Sequence, residues 1–250
     1  MIVLRPAAQR GRTDHGWLES RHTFSFGNYR DARHVGFRRL RVINEHRVRP
    51  GRGFGTQPHE DMEMLSYVLD GTLAHKDSLG TSSVLRQHEF QCVSAGRGIA
   101  QNEYNPSGVE VIHFLQVWIV SDRSAIEPSY AQCTLPPARK RGRLALVAAP
   151  DGADGALTTH QDVRVYVTLL EIGESVRHIL GPGRDAWVQV TRGALALNET
   201  RMSAGDGAAV QHEREVTIRA VEPAEALLFD LARDGPASDA ERDAGAQRSR

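Results

Sequence analysis

Short runs of alternating apolar and polar residues, each of strand length and bounded by glycine, recur along the whole chain. They are rich in Val, Ile, Leu and aromatic residues, the composition that a half-buried strand favours. The clearest runs span residues 64–69, 109–120, 163–170, 187–190, 216–220 and 226–231. Helical periodicity is scarce by comparison. The pattern therefore predicts an all-β protein with few helices.

Two parts of the pattern repeat each other. Residues 65–73 read as an alternating strand, a glycine turn and a second strand, and residues 188–195 have the same arrangement. Downstream, the Ser-Ala-Gly-x-Gly stretch at 94–98 recurs at 203–207. A hairpin followed by such a turn is typical of the cupin jelly roll. Its double occurrence predicts two cupin β-barrels in one chain.

The repeat implies a division of the chain into domains. Residues 136–143 are polar and contain two prolines, which is typical of a linker. We therefore expect an N-terminal cupin at 1–135, which holds the pocket, and a C-terminal cupin at 144–232, which serves as scaffold. Residues 233–250 are rich in Asp, Arg, Ala, Gly and Ser and lack an apolar face, so we expect a disordered tail.

Charge and composition exclude several classes of function. Lys+Arg and Asp+Glu balance at 31 each among 250 residues, whereas a nucleic-acid or membrane-surface binder needs a basic excess. The basic clusters at 38–41 and 139–141 are expected to be solvated. Only two cysteines are present, and the N-terminus lacks the apolar core of a signal peptide. We expect a cytoplasmic protein that binds neither nucleic acid nor membrane directly.

Candidate metal ligands are densest in two segments with the same spacing. Gln57 and His59 stand at positions i and i+2, and so do Gln101 and Glu103. Side chains two apart on a strand point to the same face, here the barrel interior, where they could share a metal. The second barrel contains His178 and His212, but neither has an i+2 partner, so we expect no metal site there.

Other polar residues could complete the site. Glu63 lies four residues after His59, where ordinary cupins carry a glutamate ligand, and His75 and His113 lie on neighbouring predicted strands. By alternation, His113 shares one face with Leu115 and Val117, while the opposite face carries Phe114, Gln116 and Trp118. We expect Gln116 and Trp118 to contribute to substrate binding.

The chain resembles the pirin family. The motifs that carry the resemblance are the opening run at 15–26, Arg-Val-Ile-Asn at 41–44, Glu-Tyr-Asn-Pro at 103–106 and the strand at 115–119. The likeness spans residues 1–232 and is to bacterial pirins described as quercetin 2,3-dioxygenases. It implies two stacked cupin barrels with a metal only in the N-terminal one. The family's iron, or another divalent transition metal, is held by three histidines and a glutamate.

Those four family positions match Gln57, His59, Gln101 and Glu103, so two imidazoles are replaced by amides. An amide oxygen is a weak donor better suited to hard ions, and the exchange should lower transition-metal affinity substantially. All four positions nevertheless remain polar, which favours a retained polar pocket. We expect metal binding to be weak or absent, with Glu103 and His59 as the remaining ligands.

Three functions are compatible with this departure. The first is a repurposed, metal-poor enzyme in which Glu103 and His59 act as an acid–base pair while Gln57 and Gln101 orient a small aromatic or polyketide-like substrate. The second is a metal-dependent quercetin 2,3-dioxygenase-like oxygenase with an altered site. The third is a non-catalytic regulatory protein that binds a protein partner. We expect a monomer, because two barrels packed on each other cover their own apolar faces.

Overall fold

The computed structural model describes residues 1–233, and nearly all regular structure in them is β-strand. The first part of the chain contains strands β1 (Ile2–Arg5), β2 (Gly11–Asp14), β3 (Leu18–His22), β4 (Leu40–Val48), β5 (Gln57–His59), β6 (Met62–Asp70), β7 (Thr72–Asp77), β8 (Ser82–Arg86), β9 (Glu89–Ser94), β10 (Ile99–Tyr104), β11 (Ile112–Val120) and β12 (Ser129–Thr134).

One short helix, α1 (Pro137–Lys140), leads to the second part. Its strands are β13 (Ala145–Ala149), β14 (Leu157–Thr158), β15 (Val163–Leu170), β16 (Ser175–Ile179), β17 (Arg184–Arg192), β18 (Ala194–Leu197), β19 (Thr200–Ser203), β20 (Gly207–Val210), β21 (Glu215–Ala220) and β22 (Ala224–Ala232). Two 3₁₀ turns, Ala7–Gln9 and Ala153–Gly155, complete the described elements. The predicted all-β architecture is confirmed.

Each half of the chain forms a barrel from one large and one small sheet. The first barrel pairs its strands in the order β12-β9-β6-β11-β4-β3-β2 and β5-β10-β7-β8. The second uses β1-β20-β17-β22-β15-β13-β14 and β16-β21-β18-β19. The predicted repeat corresponds to β6–β7 and β17–β18, which turn at Gly71 and Gly193. The two strands of each pair lie in different sheets, so the turns connect the large sheet to the small one and the predicted hairpins are not formed. Both glycines have positive φ (82° and 68°), a conformation that glycine adopts without steric cost.

The two barrels contact each other through their large sheets. One apolar cluster contains residues from both sheets, with Tyr67, Phe90 and Leu115 on the first and Val165 and Phe229 on the second. On β11 the residues alternate, so that Leu115, Val117 and Ile119 belong to this shared cluster while Phe114 and Trp118 belong to clusters of the first barrel. The large sheets are therefore buried on both faces, which the short alternating runs did not predict.

The interior of the second barrel is filled by apolar side chains. Its cluster combines Val188 and Leu228 of the large sheet with Leu195, Leu197 and Ile218 of the small one. All five are at most 1% exposed. This half of the molecule therefore has an ordinary hydrophobic core.

The predicted domain boundaries remain a prediction. Strand β1 belongs to the sheet of the second barrel, although the strands that follow it belong to the first. Strand β1 pairs with β20, with Ile2 opposite Val210 and Arg5 opposite Gly207. The tail predicted at 233–250 lies outside the described residues apart from Arg233, whose Nε donates to Asp185 Oδ1 at 2.9 Å. No helix within residues 1–233 is long and apolar enough to cross a membrane.

A buried charge cluster lies between the barrels. Lys140, at the end of α1, is fully buried and donates from Nζ to Tyr67 Oη at 2.5 Å and to Glu225 Oε1 at 2.9 Å. Tyr67 also hydrogen-bonds Glu225, and its ring stacks on Phe90 with centroids 4.0 Å apart. Burial lowers the pKa of Lys140, while the nearby Glu225 carboxylate opposes that shift. The segment predicted as a linker thus contributes a cation to the interface. The expectation that the basic cluster at 139–141 is solvated is wrong at Lys140, which is paired with Glu225 and fully buried.

We predict that Lys140→Ala lowers the free energy of unfolding by about 3 kcal/mol, because it removes the closer of the two cations beside the buried Glu225 carboxylate and leaves Arg192, whose Nε is 4.0 Å from Glu225 Oε2. Denaturant unfolding followed by circular dichroism measures the change. Arg139→Ala, an exposed cation one residue earlier, is the matched control and should change stability by less than about 0.5 kcal/mol. Equal effects of the two substitutions would contradict a structural role for the buried pair.

Candidate functional site

A row of polar residues crosses the inner face of the first barrel's large sheet. Strand register places them side by side: Ser66 pairs with Gln91 and with Gln116, Gln116 pairs with Asn44, and Asn44 pairs with His22. All five are at least nine-tenths buried. Within the row, Gln91 donates to Ser66 and His22 is hydrogen-bonded to Asn44, so the five side chains form a polar layer across the sheet.

Apolar residues bracket this layer on the same strands. On β11, Gln116 lies between Phe114 and Trp118, which belong to two separate apolar clusters. On β6, Ser66 lies likewise between Met64 and Val68. Side chains two apart share a face of the sheet. The barrel interior is therefore stacked as apolar, polar and apolar layers, and the polar layer holds the candidate site.

Glu103 reaches this layer from the small sheet. It is 2% exposed, and its Oε1 accepts hydrogen bonds from Ser66 Oγ at 2.8 Å and Gln91 Nε2 at 2.6 Å. Its Oε2 accepts from Gln116 Nε2 at 2.7 Å. The carboxylate is thus held in one position by three neutral donors that belong to three strands of the opposite sheet.

Burial raises the pKa of Glu103 above its usual range. The three hydrogen bonds and the nearby His75 act in the opposite direction, since they favour the charged form, but desolvation is the larger effect. A buried carboxyl whose pKa is raised in this way is a better proton acceptor than an exposed one.

A histidine that the sequence analysis did not single out also reaches the cavity. His46, on β4, is 2% exposed, and its Nδ1 lies 2.7 Å from Ser20 Oγ. Its ring packs against Phe54, with centroids 5.1 Å apart, and Phe114, at 5.2 Å. Burial, with a smaller contribution from the nearby His22, lowers the pKa of His46 to about 3. The imidazole is therefore neutral at ordinary pH.

These side chains surround a cavity of about 50 Å³. It is lined by Phe26, His46, Phe54, Gly55, Gln57, Gln101, Glu103 and Gln116. Three of the four residues expected to bind substrate line the cavity, namely Gln57, Gln101 and Gln116. Gln57 and Gln101 are opposite each other in the β5–β10 pair, but Gln57 is exposed while Gln101 is 5% exposed.

The other two predicted site residues lie together beside the cavity. His59 is half-buried, and its ring centroid is 5.0 Å from that of Trp118 in an edge-to-face contact. Burial lowers the pKa of His59. Trp118 also contacts Phe26 edge-on at 5.5 Å. Neither His59 nor Trp118 is among the residues that line the cavity.

The additional candidates Glu63, His75 and His113 make contacts elsewhere. Glu63 accepts from Ser94 Oγ at 2.9 Å and lies 3.5 Å from His160 Nδ1, at the junction of the barrels. His113 Nε2 is 2.8 Å from Glu45 Oε1. His75 lies opposite Glu103 in register and is fully buried, but its Nε2 is bonded to Asp77 Oδ2 at 2.9 Å.

The cavity residues do not fit the transition-metal centre that the family resemblance implies. Such a centre uses imidazole and carboxylate donors, whereas three of the positions here are Gln57, Gln101 and a Glu103 whose two oxygens already accept three hydrogen bonds. Within residues 1–233, no group of three or more His, Cys, Asp or Glu side chains could hold a metal ion together. Gln101 Oε1 is buried without a hydrogen-bond partner, an amide oxygen that would suit a harder ion.

Sequence reasoning missed His46, Ser66 and Gln91. The available signal was a polar residue inside an apolar strand, as in Leu-Ser-Tyr-Val at 65–68 and Phe-Gln-Cys-Val at 90–93. Such a residue must find a buried partner. Which partner it finds depends on strand order and register, because these residues come from different strands.

Two family profiles match this chain. The Pirin profile covers residues 3–119, and the Quercetinase C-terminal cupin domain profile covers residues 146–231. Among curated proteins, the quercetin 2,3-dioxygenase of Escherichia coli K12 is 44% identical over 231 residues, covering 92% of this chain and 99% of that protein. A pirin-like protein of Caulobacter vibrioides is 36% identical over 234 residues, covering 93% and 100%.

The solved structures agree. The bacterial pirin YhhW of Escherichia coli, in complex with nickel(II), superposes with a TM-score of 0.90 at 44% identity, covering 94% of this chain and all of that one. YhaK, also from Escherichia coli, gives a TM-score of 0.72 at 29% identity, covering 90% and 99%. The predicted resemblance and the two-cupin fold are confirmed: this chain belongs to the pirin family of quercetinase-type cupins.

Proposed function

We propose that this chain is an enzyme that moves a proton to or from a small hydroxylated aromatic molecule in the N-terminal barrel, without needing a transition metal. The observation that carries the proposal is Glu103, a deeply buried carboxylate fixed by Ser66, Gln91 and Gln116 at one side of the cavity. A positioned carboxyl whose pKa is raised by burial is suited to general acid–base catalysis.

The substrate class is inferred from the relatives and from the lining. Several relatives are named quercetin 2,3-dioxygenases, which act on a planar polyphenol. Phe26 and Phe54 offer aromatic contacts to such a molecule, and Gln57 and Gln101 can hydrogen-bond its oxygens. The cavity is about 50 Å³, less than the roughly 150 Å³ that holds benzene, so the proposed substrate inserts only its reacting edge and extends outward past the exposed Gln57. A substrate hydroxyl directed at Glu103 would lose its proton to the carboxylate and gain enolate character.

Two histidines are available to assist. His59 remains the proposed acid–base partner at the edge of the site, where its lowered pKa keeps it neutral and able to accept a proton. His46 lines the cavity and is also neutral, so its proposed role is to hydrogen-bond the substrate rather than to carry charge.

The first test uses quercetin as the probe and chelator-treated protein whose metal content is checked by elemental analysis. We expect the metal-free protein to speed the loss of quercetin in air-saturated buffer, followed by absorbance, because deprotonation makes the substrate more reactive toward dissolved dioxygen, the co-reactant that is reduced as the ring is oxidised. Glu103→Gln should lower kcat by about 100-fold or more. His59→Gln should lower it as well. Glu60→Gln, which changes an exposed carboxylate next to His59, is the matched control and should retain activity.

The same assay separates this proposal from the alternatives. Turnover that appears only after adding Fe(II), Ni(II), Cu(II) or Mn(II), with a thermal shift abolished by His59→Ala, would contradict metal-independent chemistry and support an oxygenase with an altered site. No turnover of quercetin under any of these conditions would contradict the substrate class. If the wild type has no activity and Glu103→Gln binds a protein partner as well as the wild type does, a regulatory role would be favoured.

The neutral state of His46 predicts a pH dependence of stability. The pKa of His46 falls from 6.5 in the unfolded chain to about 3 in the folded one, so between those values the unfolded state binds more protons. Its contribution is complete above pH 6.5 and is lost as the pH falls toward 3. Between pH 7 and pH 4 this amounts to a loss on the order of 3 kcal/mol.

Replacement of the imidazole should remove this dependence. We expect His46→Gln to lose less stability than the wild type between pH 7 and pH 4, measured by denaturant unfolding at each pH. Above pH 7, where His46 is neutral in both states, the two stability curves should run parallel. Curves that stay parallel down to pH 4 would contradict a buried, neutral His46.

A further inference from the structure

A long segment without regular strand connects β3 to β4. Residues 23–39 contain only the isolated bridges of Phe26 with Tyr29 and of Phe37 with Leu40. Connections of this length inside compact domains are uncommon and are often functional. This one delivers Phe26 to the cavity of the first barrel.

The segment is attached to the second barrel by aromatic packing. Trp187, on β17, is 3% exposed and contacts two phenylalanines of the segment, Phe24 at a centroid distance of 4.9 Å and Phe37 at 5.7 Å. The Trp187 ring lies over Gly207 of β20, where an added Cβ would come within 2.5 Å of Trp187 Cζ2. The second barrel therefore leaves room for this indole.

Polar contacts from the same sheet reinforce this attachment. Arg5, on β1, donates from Nε to the Thr23 carbonyl at 3.1 Å and from a terminal nitrogen to Tyr29 Oη at 2.8 Å. Arg38 donates from Nε to Asp185 Oδ2 at 2.9 Å. The segment is thus held near its beginning, middle and end by residues on β1 and β17.

Phe26 lies between these attachment points. Two backbone hydrogen bonds, of 3.0 and 2.9 Å, join it to Tyr29, the residue that Arg5 holds. Its ring packs on Trp118 at 5.5 Å and on His22 at 5.3 Å. Its position at the cavity is therefore coupled through the backbone to contacts made with the other barrel.

We propose that Trp187 is a positioning residue for the pocket, and that it seats Phe26 against Trp118 by holding Phe24 and Phe37. The second barrel then shapes one wall of a cavity to which it contributes no lining residue among those described. This role is independent of the reaction, because it concerns the wall of the cavity and not the groups that move a proton.

The chain offers an internal reporter for the test, since its three tryptophans are Trp17, Trp118 and Trp187. In a Trp17→Phe background, Trp187→Leu and Trp187→Phe each leave Trp118 as the single tryptophan. Phenylalanine keeps an aromatic partner for Phe24 and Phe37, whereas leucine does not. Emission and acrylamide quenching then report how well Phe26 covers Trp118.

We expect the acrylamide quenching constant of Trp118 to be about twofold higher with leucine than with phenylalanine at position 187, with emission shifted to the red, because the aromatic pairs that hold the segment are lost. Phe26→Ala in the Trp17→Phe/Trp187→Phe background is the positive control. Leu195→Ala in that background removes apolar volume from the second barrel's own core and should lower Tm without changing the quenching of Trp118.

Two results would overturn the proposal. One is that the acrylamide quenching constant of Trp118 is the same with leucine as with phenylalanine at position 187, although Phe26→Ala raises that constant. The other is an increase with Leu195→Ala as large as that with Trp187→Leu, which would mean that stability alone controls the wall. If Trp187→Leu does not fold, Phe37→Leu can replace it in the Trp17→Phe/Trp187→Phe background. This substitution weakens the same aromatic contact from the side of the 23–39 segment. It should also raise the quenching constant of Trp118.

Discussion

The apolar layer between the two large sheets is the constraint on which the rest of the molecule depends. Tyr67 and Phe90 on one side and Val165 and Phe229 on the other are all at most 2% exposed. A sheet buried on both faces cannot place polar residues outward, so any polar side chain on these strands has to be paired. Lys140, Glu225 and Tyr67 meet this condition inside the layer. At the layer's edge Glu63 meets it with Oε1, which accepts from Ser94, while its Oε2 is buried without a hydrogen-bond partner.

The same constraint accounts for where the candidate chemistry lies. With one face of the large sheet committed to the partner barrel, the remaining polar positions occupy the barrel interior, where Gln91, Ser66 and Gln116 converge on Glu103. The second barrel fills the equivalent space with residues such as Val188 and Leu228. The two halves share strand patterns, and at this layer one half carries polar side chains and the other apolar ones.

The architecture could be predicted from the sequence because alternation and the strand–turn–strand repeat are local signals. The i, i+2 spacing likewise predicted that Gln101 and Glu103 share a face, and both line the cavity. His46 and the contact between Phe24 and Trp187 were not predictable in this way, since each depends on strands distant in sequence meeting in a particular register. His75 was anticipated near the site, but only the register shows that it lies opposite Glu103 while bonding Asp77.

The crossing of β1 into the second barrel bears on how the molecule acquires its structure during synthesis. Ile2 of β1 pairs with Val210 of β20, so β1 is synthesised long before the strand with which it pairs. Contacts of such sequence separation form slowly, because a long loop must close before they contribute any stability. Arg5 lies on this strand, so the first barrel would emerge with its 23–39 segment still lacking that contact until the second barrel has been made.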